Sequence, residues 1–576
     1  MEAIYRLAWL REPSGLVPVN WRDMETEELG SVYEGLLELT PRLTADGHSF
    51  AFAEAGEAKG SARKTTGSYY TPDSLVQALL DSALDPVLDR VAAEADDPVK
   101  ALLSVTVVDP ACGSGHFLLA AARRIATRIA RHRSGGVASA QDYRHALREV
   151  ARAAIHGVDR NPLAVELTKV ALWIETVEPG KPLGFLDANI RCGDSLLGVF
   201  DLDALRHGIP DAAYKALTGD DKETARYFAK RNKAERAGQG DLDFGRGGGR
   251  LPAAAPLAAE ARALRAMPED SSEEIAAKRR RFAAGRADPK SWSLQIAADL
   301  YTAAFLVPKL GGAPANRNTV TIPTTAHVWD ALAGHTVYGP LVGRAQDLAG
   351  QARAFHWPLE FPDVLAAGGF DVVLGNPPWD TLSPDAKEFF SVYDPAVRFM
   401  AKPEQEARFA ELRQLPGVDE RWISYCRHIY AMAAFIKQSG RYKLFAEGNL
   451  GKGDFNIYRM FVELALSGIK LSGRAAQFVP ENLYNGANAT AIRKHLFRKT
   501  LLHALIAFEN TGRVWFDIDT RTKFCLYVAG GGGPTTNFPC AFGMNSKEKL
   551  AGAATRLPIE MPVSLIEEFS SEALVL

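Results

Sequence analysis

Asn376-Pro377-Pro378-Trp379 is the stretch whose residue types and order most resemble working chemistry. It follows Phe370-Asp371-Val372-Val373-Leu374-Gly375, an apolar run of the kind that forms a strand buried on both faces. Two successive prolines offer no N–H to a sheet, so the strand is expected to end at Gly375. The tetrapeptide then sits in a stiff loop at the carboxyl end of a central strand, the edge where open α/β sheets bind ligands. The Asn376 amide oxygen and the Pro377 carbonyl are two acceptors held in place by proline, and Trp379 adds a flat face for stacking. Such a set suits an exocyclic amino group on a planar base. The same four residues could also form a proline-rich turn that caps a strand over a core tryptophan.

Three acidic positions accompany this loop. Val105-Thr106-Val107-Val108-Asp109-Pro110-Ala111-Cys112-Gly113-Ser114-Gly115 reads as a strand entering a glycine turn, with a helix after it. Gly113 and Gly115 would let a ligand approach the backbone, and Asp109 could accept from a ligand ammonium or hydroxyl. The turn is neither the six-residue dinucleotide fingerprint nor a P-loop. Ile155-His156-Gly157-Val158-Asp159 is a second strand, with Asn161-Pro162 opening the next helix. Asp159 can hold ribose hydroxyls or cap a helix. Asp194, after Ile190-Arg191-Cys192-Gly193, marks a third strand tip, able to accept from an adenine amino group. Upstream, Tyr70-Thr71-Pro72 precedes an amphipathic helix, with Thr71 as the capping hydroxyl and Pro72 at the first helical position. That hydroxyl could alternatively receive a carboxylate.

The elements that must position these residues form an α/β pattern. Residues 1–60 read as an N-terminal helical segment, with Leu29, Val32, Leu36 and Leu39 on one stripe. Residues 61–200 read as the cofactor-binding half of a Rossmann-like domain. Residues 201–350 read as a helical insertion around a Gly-rich linker, and their basic run Lys278-Arg279-Arg280-Arg281 is either a solvated helix face or a phosphate contact. Residues 351–530 read as the catalytic half, interrupted by helices over 380–470. The strand pattern resumes at His356–Pro362, and a hairpin is expected from Arg513–Asp519 and Lys523–Val528, followed by a flexible break at Gly530–Gly533. Residues 531–576 then read as a short tail. Its apolar end, Ala573-Leu574-Val575-Leu576, is compatible with a fragment of a longer protein.

Bulk composition narrows the function classes. A chain of 576 residues exceeds one core. Hydrophobic content of 47% and charged content of 24% are those of a globular protein. The formal net charge of −2 gives no global basic field, so any phosphate-binding surface must be local. Five scattered cysteines without zinc spacing point to a reducing, cytoplasmic setting and no metal. No apolar run reaches the ~18 residues of a membrane span, so no membrane partner is expected.

These motifs resemble the amino-group DNA methyltransferases, specifically the N6-adenine enzymes whose cofactor motifs precede the catalytic one. The resemblance implies S-adenosylmethionine bound by Tyr70, Thr71 and Pro72 near the methionine carboxylate, and by Asp109, Ala111, Gly113 and Gly115 in the glycine-rich loop. It further implies Asp159 on the ribose and Asp194 on the cofactor adenine. Asn376, Pro377, Pro378 and Trp379 would be the catalytic motif, with Phe516 packing beside Trp379 on a flipped adenine of double-stranded DNA. Ser31–Leu37, Phe355–Pro362 and Gly453–Tyr458 are similar to the single-chain type II restriction-modification group and its phage-defence relatives. Such enzymes usually carry a recognition domain after the catalytic fold. Only a short stretch follows the expected hairpin here, and no nuclease motif is found, so a separate specificity or defence subunit is an expected partner. A protein-glutamine methyltransferase and a catalytically silent scaffold subunit are the alternatives.

Overall fold

The structure, a computed structural model, describes residues 71–238, 254–316, 320–448, 455–554 and 557–576, with short pieces before residue 71. A nine-stranded sheet organises it: β1 (Val107–Asp109), β2 (Ile155–Asp159), β3 (Ile190–Cys192), β4 (Phe370–Gly375), β5 (Ile469–Pro480), β6 (Leu501–Glu509), β7 (Lys523–Gly530), β8 (Asn537–Met544) and β9 (Ile559–Pro562). Their order across the sheet is β9-β8-β6-β7-β5-β4-β1-β2-β3. β3, β2, β1, β4 and β5 are mutually parallel, and β7 inserts antiparallel between β5 and β6. This is a Rossmann-like sheet. The strand order reverses between β1 and β4, the crevice where such sheets bind ligands.

Both faces of the sheet are covered, which explains the unbroken apolar run of β4. Val372 and Leu374 pack with Val107 and Phe478 on one face, while Val373 packs with Val108 and Ala475 on the other. The first face carries α1 (Asp73–Ala83), α2 (His116–Ser134) and α3 (Ala140–Ala153). α2 starts at left-handed Gly115 and stops at left-handed Gly135, and a Ser139–Asp142 capping box opens α3. After β2 comes α4 (Pro162–Glu175), capped by the Asn161 side chain on the Leu163 N–H at 3.1 Å. The insertion is not a detached module. Its α5 (Pro289–Leu306) is buried from Ala297 through Leu306 and shares the second face's core with Val108 and Val373. α6 (Val418–Gln438) packs on α5, and α7 (Tyr458–Gly468) leads into β5.

Several expectations are corrected. His356–Pro362 is not a strand: Pro358 is the second residue and Pro362 the first of two short helices, Trp357–Glu360 and Pro362–Ala366, in whose first turn a proline is tolerated. The hairpin partner of β7 is Leu501–Glu509 rather than Arg513–Asp519, with Phe508 opposite Phe524. Gly530 closes β7 as a paired strand residue instead of opening a flexible break. Residues 537–562 are no tail, since β8 runs parallel to β6 and β9 completes the sheet edge. Within the apolar end Leu574 is fully buried, while Ala573, Val575 and Leu576 are half-buried. Before residue 71 the described pieces include two antiparallel pairs, Trp9–Glu12 with Gly15–Pro18 and Pro41–Leu43 with Phe50–Phe52, so that segment is not simply helical. Val32 is 42% exposed, and Leu29, Leu36 and Leu39 lie outside the described residues. Among the described residues no helix is long and apolar enough to cross a membrane.

Candidate active site at the switch point

Asp109 ends β1 and Gly375 ends β4, side by side at the strand-order reversal. They touch so closely that a Cβ on Gly375 (φ +142°) would come within 2.5 Å of Asp109 Oδ1. Only glycine suits that backbone and that approach. The chain then turns through Asn376, with Pro377 buried behind it.

One hydrogen bond holds the Asn376 side chain among the described residues. Its Nδ2 donates to Thr71 Oγ1 at 3.2 Å, while its Oδ1 is buried and has no hydrogen-bond partner among those residues. Buried acceptors are rarely left unpaired, so an orphan at a strand tip marks a place for a ligand donor. The sequence pattern makes Thr71 the cap of α1. Instead Pro72 is the N-cap residue and no side chain caps the helix, which leaves the Thr71 hydroxyl to Asn376. Tyr70 lies outside the described residues.

Trp379 is fixed by three contacts. Its Nε1 donates to the Phe478 carbonyl at 3.2 Å, and its ring meets Phe516 at 5.7 Å edge-on and Phe524 at 5.6 Å. Its carbonyl accepts from Asn456 Nδ2, and the Asp380 and Phe455 carbonyls accept from the Ile457 and Leu382 N–H groups. The loop after the tetrapeptide is thus pinned to the entry of α7. Phe516 comes from the β6–β7 connection, which buried Asn510 organises. Asn510 Oδ1 accepts from the Trp515 and Phe516 N–H groups at 3.2 and 3.0 Å, and its Nδ2 donates to the Phe516 carbonyl at 2.9 Å.

The glycine turn lies alongside. Asp109 Oδ1 accepts from the Ala111 N–H at 3.0 Å, and Asp159 Oδ2 accepts from the Gly113 N–H at 2.9 Å. Gly115 (φ +87°) packs on Thr168, whose Oγ1 donates to the Gly113 carbonyl at 2.8 Å. Gly30, described upstream, lies against Ser114 of the same turn. Asp194 Oδ1 accepts from the Leu196 N–H at 3.0 Å, and the Ser195 hydroxyl donates to the Pro110 carbonyl. Arg160 stands 3.7 Å from Asp194, and burial, then the Arg160 charge, holds the His428 imidazole of α6 below its usual range, with Asp194 opposing. The structure therefore brings Thr71, Pro72, Asp109, Ala111, Gly113, Gly115, Asp159, Asp194 and Asn376–Trp379 to one edge of the sheet, with Phe516 against Trp379.

The electrostatics of this edge favour a ligand with donors or positive charge. Burial raises the Asp109 carboxyl to about 8, against the Ala111 N–H that lowers it and with Asp159 raising it further. Burial also raises Asp159, opposed by the Asn161 and Gly113 N–H groups. The Cys112 thiol is pushed well up by burial and then by both acids, so it is an inert packing group. Buried acids of this kind gain most from a cation or hydroxyl placed between them. A cleft of about 680 Å³ lies elsewhere, among the insertion helices around Phe282 and Trp292, and includes none of these residues. Part of the basic run is spent internally: Lys278 pairs with buried Glu269 at 2.5 Å and Arg281 with Glu260 at 2.6 Å. Among the described residues no group of three or more His, Cys, Asp or Glu could hold a metal ion.

Sequence reasoning passed over Asn456, Asn510, Thr168 and Ser195, which hold the site through backbone contacts. Asn456 lies within the Gly453–Tyr458 stretch that carried a resemblance, and Asn510 begins an Asn-Thr-Gly turn. Those were the signals available.

Comparison with known proteins gives two family models. The Eco57I restriction-modification methylase model matches residues 153–396, and the MmeI DNA-methyltransferase domain matches residues 93–180. A putative type II restriction enzyme and methyltransferase of Methanocaldococcus jannaschii is 25% identical over 219 residues, 31% of this chain and 17% of the relative. The adenine-specific methyltransferase PglX of Streptomyces coelicolor is 33% identical over 114 residues, 20% of this chain and 8% of the relative. The chain thus spans less than a fifth of the length of either curated relative. Among solved structures, the DrdV–DNA complex is similar at 11% identity and a TM-score of 0.37, over 87% of this chain and 30% of that one. A modification subunit of a putative type I restriction enzyme from Vibrio vulnificus is similar at 11% identity and a TM-score of 0.30, over 94% of this chain and 62% of that one.

Proposed function

We propose that this chain, a methyltransferase of the restriction-modification kind by its family matches, transfers a methyl group from S-adenosylmethionine to the N6 amino group of adenine in double-stranded DNA. The observation that carries the reading is the buried, unpartnered Asn376 Oδ1 at the switch point. The acceptor set fits the cofactor: acids at successive strand tips suit an ammonium, ribose hydroxyls and an adenine amine, and the glycine turn admits a ligand to the backbone. When bound, S-adenosylmethionine supplies a methyl carbon made electrophilic by a positively charged sulfur.

The nitrogen of an adenine amine is a weak nucleophile because its lone pair is delocalised into the ring. Asn376 Oδ1 and the Pro377 carbonyl would each accept one N6–H, which localises the lone pair and aims it. The two acceptors would hold the amine nitrogen in line for the methyl group that bound S-adenosylmethionine would supply, with the sulfur leaving as a neutral thioether and the surplus amine proton passing to solvent. The prolines keep both acceptors aligned beforehand, so positioning and electrostatics supply the rate. The base must leave the duplex to reach this pocket, where Trp379, braced by Phe516 and Phe524, would stack on it.

Sequence recognition is assigned to a further protein segment or a separate specificity or defence subunit. The net charge of −2 and the internally paired Lys278 and Arg281 support weak intrinsic DNA affinity. The reaction is expected in the cytoplasm, with the DNA. The test is methylation in cells expressing the chain, read by single-molecule sequencing for N6-methyladenine, together with labelled-methyl transfer in vitro. Label entering protein glutamine and no DNA adenine would overturn the reading.

A further inference from the structure

We infer that Thr71 is a positioning residue for Asn376, setting which end of its amide faces the substrate amine. The inference rests on the proposed transfer reaction but on a separate observation. Thr71 is 4% exposed, and its Oγ1 is the one partner of the Asn376 side chain among the described residues, at 3.2 Å from Nδ2. With Nδ2 turned to Thr71, Oδ1 is the atom left without a partner. The amide could in principle turn over about its last torsion. The turned form would present two N–H donors to an amine that is itself a donor, and no productive hydrogen bond would form. A hydroxyl can donate as well as accept, so it holds the reactive form when its own hydrogen goes to another acceptor, such as the carboxylate of the cofactor, and its lone pair then takes the Nδ2 hydrogen.

Kinetics distinguishes this role from direct cofactor binding. Thr71 stands just before α1, and a hydroxyl there that served only a cofactor carboxylate would govern cofactor affinity. A hydroxyl that orients Asn376 governs the rate at saturating cofactor instead. The substitution Thr71→Val keeps the shape of the side chain and loses the acceptor, whereas Thr71→Ser keeps the acceptor, so the two variants together isolate the hydrogen bond.

The experiment uses the full chain and two readouts. Single-turnover methyl transfer to DNA at saturating cofactor should fall by roughly tenfold or more in Thr71→Val, the loss expected for one buried hydrogen bond, and should recover in Thr71→Ser. Cofactor affinity by calorimetry should change less than the rate. Independently of activity, the Asn376 side-chain NH2 signal in asparagine-labelled protein, identified by its loss in Asn376→Asp, should shift in Thr71→Val and hold in Thr71→Ser. An unmoved signal in Thr71→Val, or a weakened cofactor affinity with a normal saturated rate, overturns the inference. A wild-type chain that transfers no methyl group, with the Asn376 signal still shifting in Thr71→Val and holding in Thr71→Ser, overturns the proposed reaction and leaves the role of Thr71 standing.

Discussion

Asn376→Ala should damage activity without damaging the fold, and the structure says why. Among the described residues the side chain makes one hydrogen bond, to Thr71 at 3.2 Å, and leaves Oδ1 buried and unpaired. Losing the bond costs about 1 kcal/mol net, while removing an unsatisfied buried acceptor returns roughly 1–3 kcal/mol. The two nearly cancel, so the unfolding free energy should stay within about 1 kcal/mol of the wild type, or rise. Catalysis has no such compensation. Deleting one preorganised polar group typically lowers the rate by roughly 10²–10³-fold, or about 3–4 kcal/mol of transition-state stabilisation. The assay pairs urea unfolding with single-turnover methyl transfer, and cofactor affinity serves as the control. A variant that unfolds more easily by about 2 kcal/mol, the scale of a lost buried contact, would make Asn376 a structural residue. One that methylates at the wild-type rate would remove it from the chemistry.

Other outcomes follow from the same geometry. Asp159→Ala should weaken S-adenosylmethionine binding by an amount worth roughly 1.5–3 kcal/mol, the loss of charge-assisted hydrogen bonds to ribose; calorimetry that finds an unchanged dissociation constant would take Asp159 out of the site. Asp109 has a folded carboxyl raised to about 8 by burial, so between the ordinary aspartate range near 3.8 and that value the folded chain holds a proton that the unfolded chain releases. Its contribution to stability is therefore full below the lower value and lost as pH rises through the upper one, and Asp109→Asn should show a shallower fall in urea midpoint from about pH 5 to about pH 8 than the wild type, equal slopes counting against the assignment. Trp379→Ala removes a stacking face worth roughly 1–3 kcal/mol per base and should be partly rescued by a duplex whose target adenine is already unpaired, whereas Asn376→Ala should not be; equal rescue of the two would mean that their roles are wrongly divided.

The central strand and its loop were legible because two strong local signals coincide there. A six-residue apolar run meets a double proline, and both faces of β4 are indeed buried. The acids at the tips of β1 and β2 were legible for the same reason, a β-branched strand running into a turn. The hairpin was misplaced because Arg513–Asp519 has strand-like residues, Val514, Trp515, Phe516 and Ile518, whereas its true arm, Leu501–Glu509, is rich in leucine and alanine. Propensity lost to a tertiary effect: the buried Asn510 amide draws the 513–519 segment into a loop and delivers Phe516 to Trp379.

The same distinction explains what the sequence withheld at the site itself. Asparagine before two prolines announces an acceptor, but its orientation depends on a threonine 305 positions away in the chain. Nothing local to either residue encodes that pairing. It exists because β4 lies beside β1 at the switch point and α1 packs across both β4 and β5. Thr71 read as a helix cap for as long as its neighbours were taken to be its sequence neighbours. In the folded chain the cap position falls on Pro72, which has no hydroxyl to offer, and Thr71 is released to Asn376 at the end of β4. A single shift in a helix start thus converts a local capping hydroxyl into a long-range partner of Asn376, and only the long-range packing of the sheet decides it.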